Sequence, residues 1–565
     1  MESGDALRPS RWCRAARAAV PVLILLAVAA KSAVGEWRAR DLAMTDETAY
    51  LSFALDATGL GRGGIESGPL YVQWYRLLMH LPVPVEYLPF VSHGLLQAVL
   101  AVLFYALVRR LGTGRWAGAT AASVLVLNTQ LAVLDPFPMH LATALLAVGV
   151  LAGTYRRSVL GACGPVGFGA LAACYARPEF GTLLLAFLPL YLAGGVWACA
   201  RGRGRWREFL PWAVPLMAAV AACGFAVGLP LPDGPRGWAA FAQHYARTVE
   251  EATGRGDPTE WTTHWDRAAR ADFEEARTLG EAVRARPDAV ALHVGRNLLR
   301  LPSATFNLCR PKALAATPRK PAHLLLVAAL GVGFVGLVRR VQSGGQRGPD
   351  GQPLRAALLA LACVAVISGP AVLIVYPRDH YLLLPLFFLL ALAVSGLPAP
   401  RWPAASLGTP DRWKVRAAGF AAGVLLVGLT PTALNGGTPL RPLLSKARPA
   451  ADAFESREVM ALLHALPPRP VAVVMDHSSY GSIRSGWMAS PVFAVAHDRK
   501  AEGFRAFVAK HQLGVIVLDR RLPSDPRFGG DPEFMALWNG TDTGDFVVRT
   551  APGGARIAVR KDLLE

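Results

Sequence analysis

The chain has 565 residues, 53% of them hydrophobic and only 18% charged, where a soluble protein carries about 25% charge. Its formal net charge is +19, but the arginines gather in short connectors between apolar runs, at Arg109-Arg110, Arg156-Arg157, Arg201 to Arg207, Arg339-Arg340 and Arg412 to Arg416. That placement is the positive-inside pattern of a multi-span membrane protein, and it argues against a soluble enzyme and against a nucleic-acid partner.

Apolar runs long enough to cross a bilayer predict spans near 15–34, 88–108, 116–134, 139–154, 158–175, 180–199, 209–229, 321–338, 355–375, 380–397 and 416–433. The count is about eleven, and with Arg8, Arg11, Arg14 and Arg17 inside, every basic connector falls on the cytoplasmic side. The first run has a rival reading as a cleaved signal peptide, because Ala27 to Ala33 is rich in small residues. Its length favours a retained span.

The loop 35–87 then faces outward. It carries the adjacent acids Asp46 and Glu47, Tyr50, a Gly-rich turn with Arg62, and the run from Pro69 through Leu70, Tyr71, Trp74, Leu77 and Leu78. The apolar spacing of that run predicts a helix lying in the membrane interface. The two acids suit a base at the membrane surface, or a pair capping a helix N-terminus.

The next outer turn, Asp135-Pro136-Phe137-Pro138, offers Asp135 as a further acid or as a simple turn former before Pro136. Then come Tyr175-Ala176-Arg177-Pro178-Glu179 and, late in the chain, Tyr376-Pro377-Arg378-Asp379-His380 followed by Tyr381. Arginine on an outer turn runs against the positive-inside bias, so Arg177 and Arg378 are candidates for phosphate binding, with pairing to Glu179 and Asp379 as the alternative.

Between these turns lies a polar outer insertion, 230–320, with short helices expected over 266–286 and 288–300. Its Trp238, Trp261 and Trp265 read as interfacial anchors, and a lid is the other reading. The tail, 434–565, reads as a small soluble α/β domain. Val471 to Met475 and Val515 to Leu518 are buried-strand runs, Ala501 to His511 has helical spacing, and 546–559 is a closing hairpin. Seven cysteines are present without any CxxC pair, and most sit in apolar runs as packing residues.

Four stretches carry a resemblance. An acid pair followed by Tyr50 just outside the first span, Pro69-Leu70-Tyr71 opening an interfacial helix, Tyr175 to Phe180, and Arg378 to Leu392 occur in this order and on one side. Together they resemble the GT-C membrane glycosyltransferases, in particular the protein-O-mannosyltransferase, aminoarabinose-transferase and RgtA/B/C/D-like branches. The family's usual Pro-Pro-Leu-Tyr stands here as Gly68-Pro69-Leu70-Tyr71. The resemblance covers roughly residues 15–400 and implies a polytopic α-helical membrane protein, GT-C-like, of about 11 transmembrane helices, with a small C-terminal α/β extracytoplasmic domain. Residues 1–433 would form the membrane domain and 434–565 the soluble one.

The implied activity is transfer of a sugar from a polyprenyl-phosphate donor to a lipid, glycan or protein hydroxyl. The resemblance casts Asp46 as general base, with Glu47 and Asp135 as further catalytic acids. Arg62, Tyr71, Arg177, Arg378, His380 and Tyr381 become the substrate-binding candidates. A divalent ion could sit on Asp46, Glu47 and Asp135, but no His or Cys cluster has ligand spacing, so no metal or other cofactor is expected. The expected partners are the donor, its acceptor and membrane lipids. The Ala, Gly, Arg and Pro content suits a GC-rich bacterial genome, and hence the bacterial inner membrane with the N-terminus cytoplasmic and the tail outside. A lipid-linked glycan polymerase or ligase, and a transporter or scaffold, are the competing readings. The first should carry its chemistry in one large late loop, the second charges within its spans or matching halves.

Overall fold

A computed structural model describes residues 11–33, 45–55, 68–126, 138–156, 158–202, 205–229, 235–253, 265–309, 331–339, 372–375, 379–397, 455–467, 473–475, 503–518, 522–524 and 528–565, with single residues between 328 and 421. Among these, four helices are long and apolar enough to cross a bilayer: Val85–Arg110, Val159–Ala176, Pro178–Arg201 and Trp206–Val227. Ala19–Ala33, Pro138–Gly153 and Tyr381–Gly396 are shorter apolar helices. The composition and these helices make the chain a membrane protein. The runs at 355–375 and 416–433 lie largely outside the described residues.

The bundle begins with α1 (Arg11–Ala33), then α2 (Thr45–Leu55), α3 (Pro69–Leu78), α4 (Leu88–Arg110), α5 (Arg115–Val126), α6 (Pro138–Gly153), α7 (Val159–Ala176), α8 (Gly181–Arg201) and α9 (Trp206–Val227). Helix α1 buries Leu25 and Val28 completely and packs on α4 and α5. Gln97 fastens the three together: its Oε1 accepts from Ser32 at 3.0 Å and its Nε2 donates to the Val126 carbonyl at 3.0 Å. The first helix is thus built into the bundle.

The tightest seam joins α6 to α7, which run antiparallel. Gly149 and Gly153 are one helical turn apart, and a Cβ added to either would come within 2.5 Å of the Pro165 carbonyl or 2.7 Å of the Ala162 carbonyl. Lipid tails are as apolar as leucine, so helices in a membrane associate through such close small-residue contacts. Gly149→Leu is therefore expected to force the helices apart and to turn a monodisperse peak on size exclusion in detergent into aggregate. Gly280→Ala, where an added Cβ meets nothing within 4 Å, is the neutral control.

The two ends of this bundle differ. At one end Arg110 donates to the Thr154 carbonyl at 3.4 Å and stacks over Tyr155, while Arg156 lies over Trp212 and Arg201 over Trp197. At the other end sit α2, α3, the start of α4, the end of α7 and the start of a late helix. There, His93 of α4 and His140 of α6 meet edge to face at 6.0 Å.

The insertion forms α10 (Pro235–Thr253), α11 (Trp265–Phe273), α12 (Leu279–Ala285) and α13 (Pro287–Cys309). Trp238 and Trp265, both half-buried, pack on a local core of Phe241, Tyr245, Phe273 and Val290; Trp261 lies outside the described residues. Helix α13 runs along α14 (Asp379–Gly396).

The C-terminal elements are α15 (Glu455–Ala465), β1 (Val473–Met475), α16 (Phe504–His511), β2 (Leu513–Val517), α17 (Pro532–Trp538), β3 (Phe546–Thr550) and β4 (Arg556–Arg560). They make one sheet of order β1-β2-β4-β3, with β1 and β2 parallel and the other pairs antiparallel. Strand β2 is buried along its whole length because helices cover both faces, as a near-continuous apolar run requires. Phe504, Phe507, Phe534 and Leu537 lie on one side. Val459 and Leu463 lie on the other, joined by Phe90 and Tyr87 from the start of α4. The sheet therefore docks at the end of the bundle away from the arginine connectors.

Candidate active site

Helix α2 buries Glu47, Tyr50, Leu51 and Ala54. The spacing i, i+3, i+4, i+7 is one helical face. Glu47 Oε2 accepts a hydrogen bond from the Tyr71 hydroxyl at 2.8 Å and another from the Tyr75 hydroxyl. Both tyrosines stand one turn apart on α3, which is why they reach the same oxygen. Burial, and then the neighbouring carboxylate, push both phenols well above their ordinary pKa, so they stay protonated donors. Behind them, Trp74 Nε1 donates to Ser92 Oγ at 2.8 Å. Leu70 and Leu77 face outward, as an interfacial helix needs.

The second half of the site is Arg177, 5% exposed, at the point where α7 ends. Its Nη1 donates to the Tyr50 hydroxyl at 3.1 Å and its Nη2 to the Tyr381 hydroxyl at 3.2 Å. Its Nε faces Glu179 at 3.0 Å in an ion pair, and its guanidinium lies 5.6 Å from the Tyr381 ring centre. Tyr50 in turn meets Tyr71 edge to face at 5.1 Å. One connected cluster therefore runs from Tyr75 through Glu47, Tyr71, Tyr50 and Arg177 to Tyr381. It ties together the first loop, the Tyr175 to Glu179 turn and the start of α14.

Gly68 sets the approach of α3 to that turn. Its φ is +69°, in the left-handed region, and an added Cβ would lie 2.3 Å from the Ala176 carbonyl. A glycine at position 68 thus has a local cause. Gly68→Ala is expected to cost about 1–2 kcal/mol in backbone strain alone, with the clash added, and to lower the melting midpoint measured by tryptophan fluorescence.

Two of the candidates have partners within the cluster. Tyr71, a substrate-binding candidate, is fully buried and its hydroxyl donates to Glu47. Arg177, a phosphate-binding candidate, has a protein partner facing each of its three nitrogens and is a hub of the cluster. Glu47 is buried as the acceptor for two phenols, a supporting position. Asp46 belongs to the first turn of α2, four residues ahead of Tyr50. The side chains of Asp46 and His380, and all of Arg62, Asp135 and Arg378, lie outside the described residues. Among the described residues no three His, Cys, Asp or Glu side chains group to hold a metal.

The sequence reading missed Tyr75, Ser92 and the role of Tyr50. Helical spacing was the available signal. Tyr50 follows Glu47 by three residues and Tyr75 follows Tyr71 by four, so each pair shares a face.

No family model and no curated protein matches the chain. Among solved structures it is similar to the oligosaccharyltransferase of Archaeoglobus fulgidus in its apo form, at 11% identity and a TM-score of 0.42, over 98% of this chain and 75% of that one. It is also similar to the archaeal oligosaccharyltransferase AglB of Archaeoglobus fulgidus in complex with an inhibitory peptide and a dolichol-phosphate, at 11% identity and a TM-score of 0.41, over 97% of this chain and 75% of that one.

Proposed function

We propose that this chain is a membrane glycosyltransferase that moves a sugar from a polyprenyl-phosphate donor to a lipid, glycan or protein hydroxyl. The observation that carries the reading is the convergence on Arg177 and Glu47 of three outer segments, at the bundle end away from the arginine connectors. A donor with its tail in the bilayer presents its phosphate at that depth.

In the reaction the acceptor oxygen attacks the anomeric carbon. The bond from that carbon to the phosphate oxygen breaks, and its electron pair leaves with the phosphate. Asp46 takes the acceptor's proton as general base. A single displacement inverts the anomeric centre. Glu47, Tyr71 and Tyr75 fix helix α2, and with it position 46. Arg177 fixes Tyr50 and Tyr381, and Arg62 and Arg378 meet the departing phosphate, whose growing charge they stabilise. His380 and Tyr381 border the donor, and Asp135 supports the base. The positive-inside rule then puts the N-terminus in the cytoplasm and the 434–565 domain outside a bacterial inner membrane.

A photoreactive polyprenyl-phosphate sugar tests the site directly. In bilayer-reconstituted protein it should label peptides covering 175–181 or 376–384, and plain polyprenyl phosphate should compete. Labelling confined to other segments, or insensitive to competitor, would overturn the reading.

A further inference from the structure

The polar insertion reaches the site through two buried side chains that no family motif covers. Residues 372–375 are helical, and Pro377 follows. Proline has no N–H, so the Leu373 carbonyl lacks its regular i+4 donor, and the carbonyls after it are the orphans of a helix end. Leaving such groups buried and unmade is costly.

Helix α13 supplies what the backbone lacks. Asn297 Nδ2 donates to the Leu373 carbonyl at 2.8 Å. His293 Nε2 lies 3.1 Å from the Ile374 carbonyl and 3.2 Å from the Val375 carbonyl. With its proton on Nε2 the ring serves both carbonyls; Asn297 Nδ2 also lies 3.0 Å from Nε2, and Nδ1 lies 3.0 Å from the Thr248 hydroxyl, which itself stands 3.0 Å from the His244 carbonyl. Both His293 and Asn297 are fully buried. One turn before Thr248 on α10, His244 stands edge to face with the Tyr381 ring at 6.3 Å. Tyr381 is the residue that Arg177 holds.

We infer that His293 and Asn297 are positioning residues, which clamp the backbone leading into α14 so that Tyr381 meets Arg177. The insertion is then a fixed brace for the donor side of the site. The consequence for catalysis rests on the glycosyltransferase reading, whereas the clamp itself does not.

The test compares His293→Gln with His293→Asn in full-length protein in lipid bilayers. A Gln amide nitrogen reaches the place of the imidazole Nε2, and the Asn amide does not. Hydrogen exchange over 372–384 should quicken about tenfold in the Asn variant, as the loss of a buried hydrogen bond predicts, and return toward wild type with Gln. Exchange across α4 to α9 should not move. In transfer assays the donor KM should rise about tenfold in the Asn variant while kcat changes far less, the split expected when ground-state positioning is lost. Asn297→Leu should repeat the loss of His293→Asn, because it removes the other donor. Unchanged exchange in His293→Asn, a rise spread over the whole bundle, or failure of Gln to rescue would each overturn the clamp. A wild-type protein with no transfer activity would sink the enzymatic reading, and the exchange data would still decide the clamp.

Discussion

Asp46→Asn is expected to reduce sugar transfer by about 10²–10⁴-fold, the usual contribution of a positioned general base, while the protein folds and binds donor as before. The substitution keeps the size of the side chain and removes only its basicity. The loss should therefore appear in kcat and not in the melting midpoint. Glu47→Gln makes the contrast. An amide oxygen still accepts from Tyr71 and Tyr75, so α2 keeps its place and transfer should fall far less than with Asp46→Asn. Steady-state kinetics on both variants checks the ranking. Equal losses would assign the base to the wrong acid.

Arg177→Ala should have the largest effect on stability. It removes one partner of a buried ion pair and leaves Glu179 facing a cavity, a change that costs about 3–5 kcal/mol. It also releases Tyr50 and Tyr381, so the first loop and α14 lose their common anchor. Arg177→Lys should recover little, because one ammonium cannot reach three partners arranged around a planar fork. Melting curves in detergent, followed by tryptophan fluorescence, give the ranking wild type above Lys above or equal to Ala. A melting midpoint unchanged in Arg177→Ala would mean that the cluster is not what joins these segments.

Much of the helical frame was legible because span length is a strong signal. The runs expected at 88–108, 158–175, 180–199 and 209–229 coincide with four helices long enough to cross. The strands at 473–475 and 513–517 and the hairpin of 546–560 follow from runs of β-branched residues bounded by turns. Arg177 was visible as a charge at the end of an apolar run. Its partners were not. Tyr50 and Tyr381 lie 127 and 204 residues away in sequence, and no local pattern pairs residues across that distance. The contact of Tyr71 was hidden for the same reason: a tyrosine on an interfacial helix shows no partner until the acid one loop earlier is folded against it. Pro377 is the instructive case. Its missing N–H was in plain view, and the His293 and Asn297 pair, four residues apart on one helix face, was the matching donor set. Only the folded chain brings the two together.

The central claim is that this cluster serves a lipid-borne sugar donor, and turnover by the wild-type protein tests it most directly. The protein in lipid nanodiscs would be incubated with a panel of radiolabelled polyprenyl-phosphate sugars, with and without membrane-lipid, glycan and peptide acceptors. The predicted result is release or transfer of one sugar from its lipid, with inversion at the anomeric carbon. Every donor remaining intact in the presence of well-folded protein, across all acceptors, would contradict it.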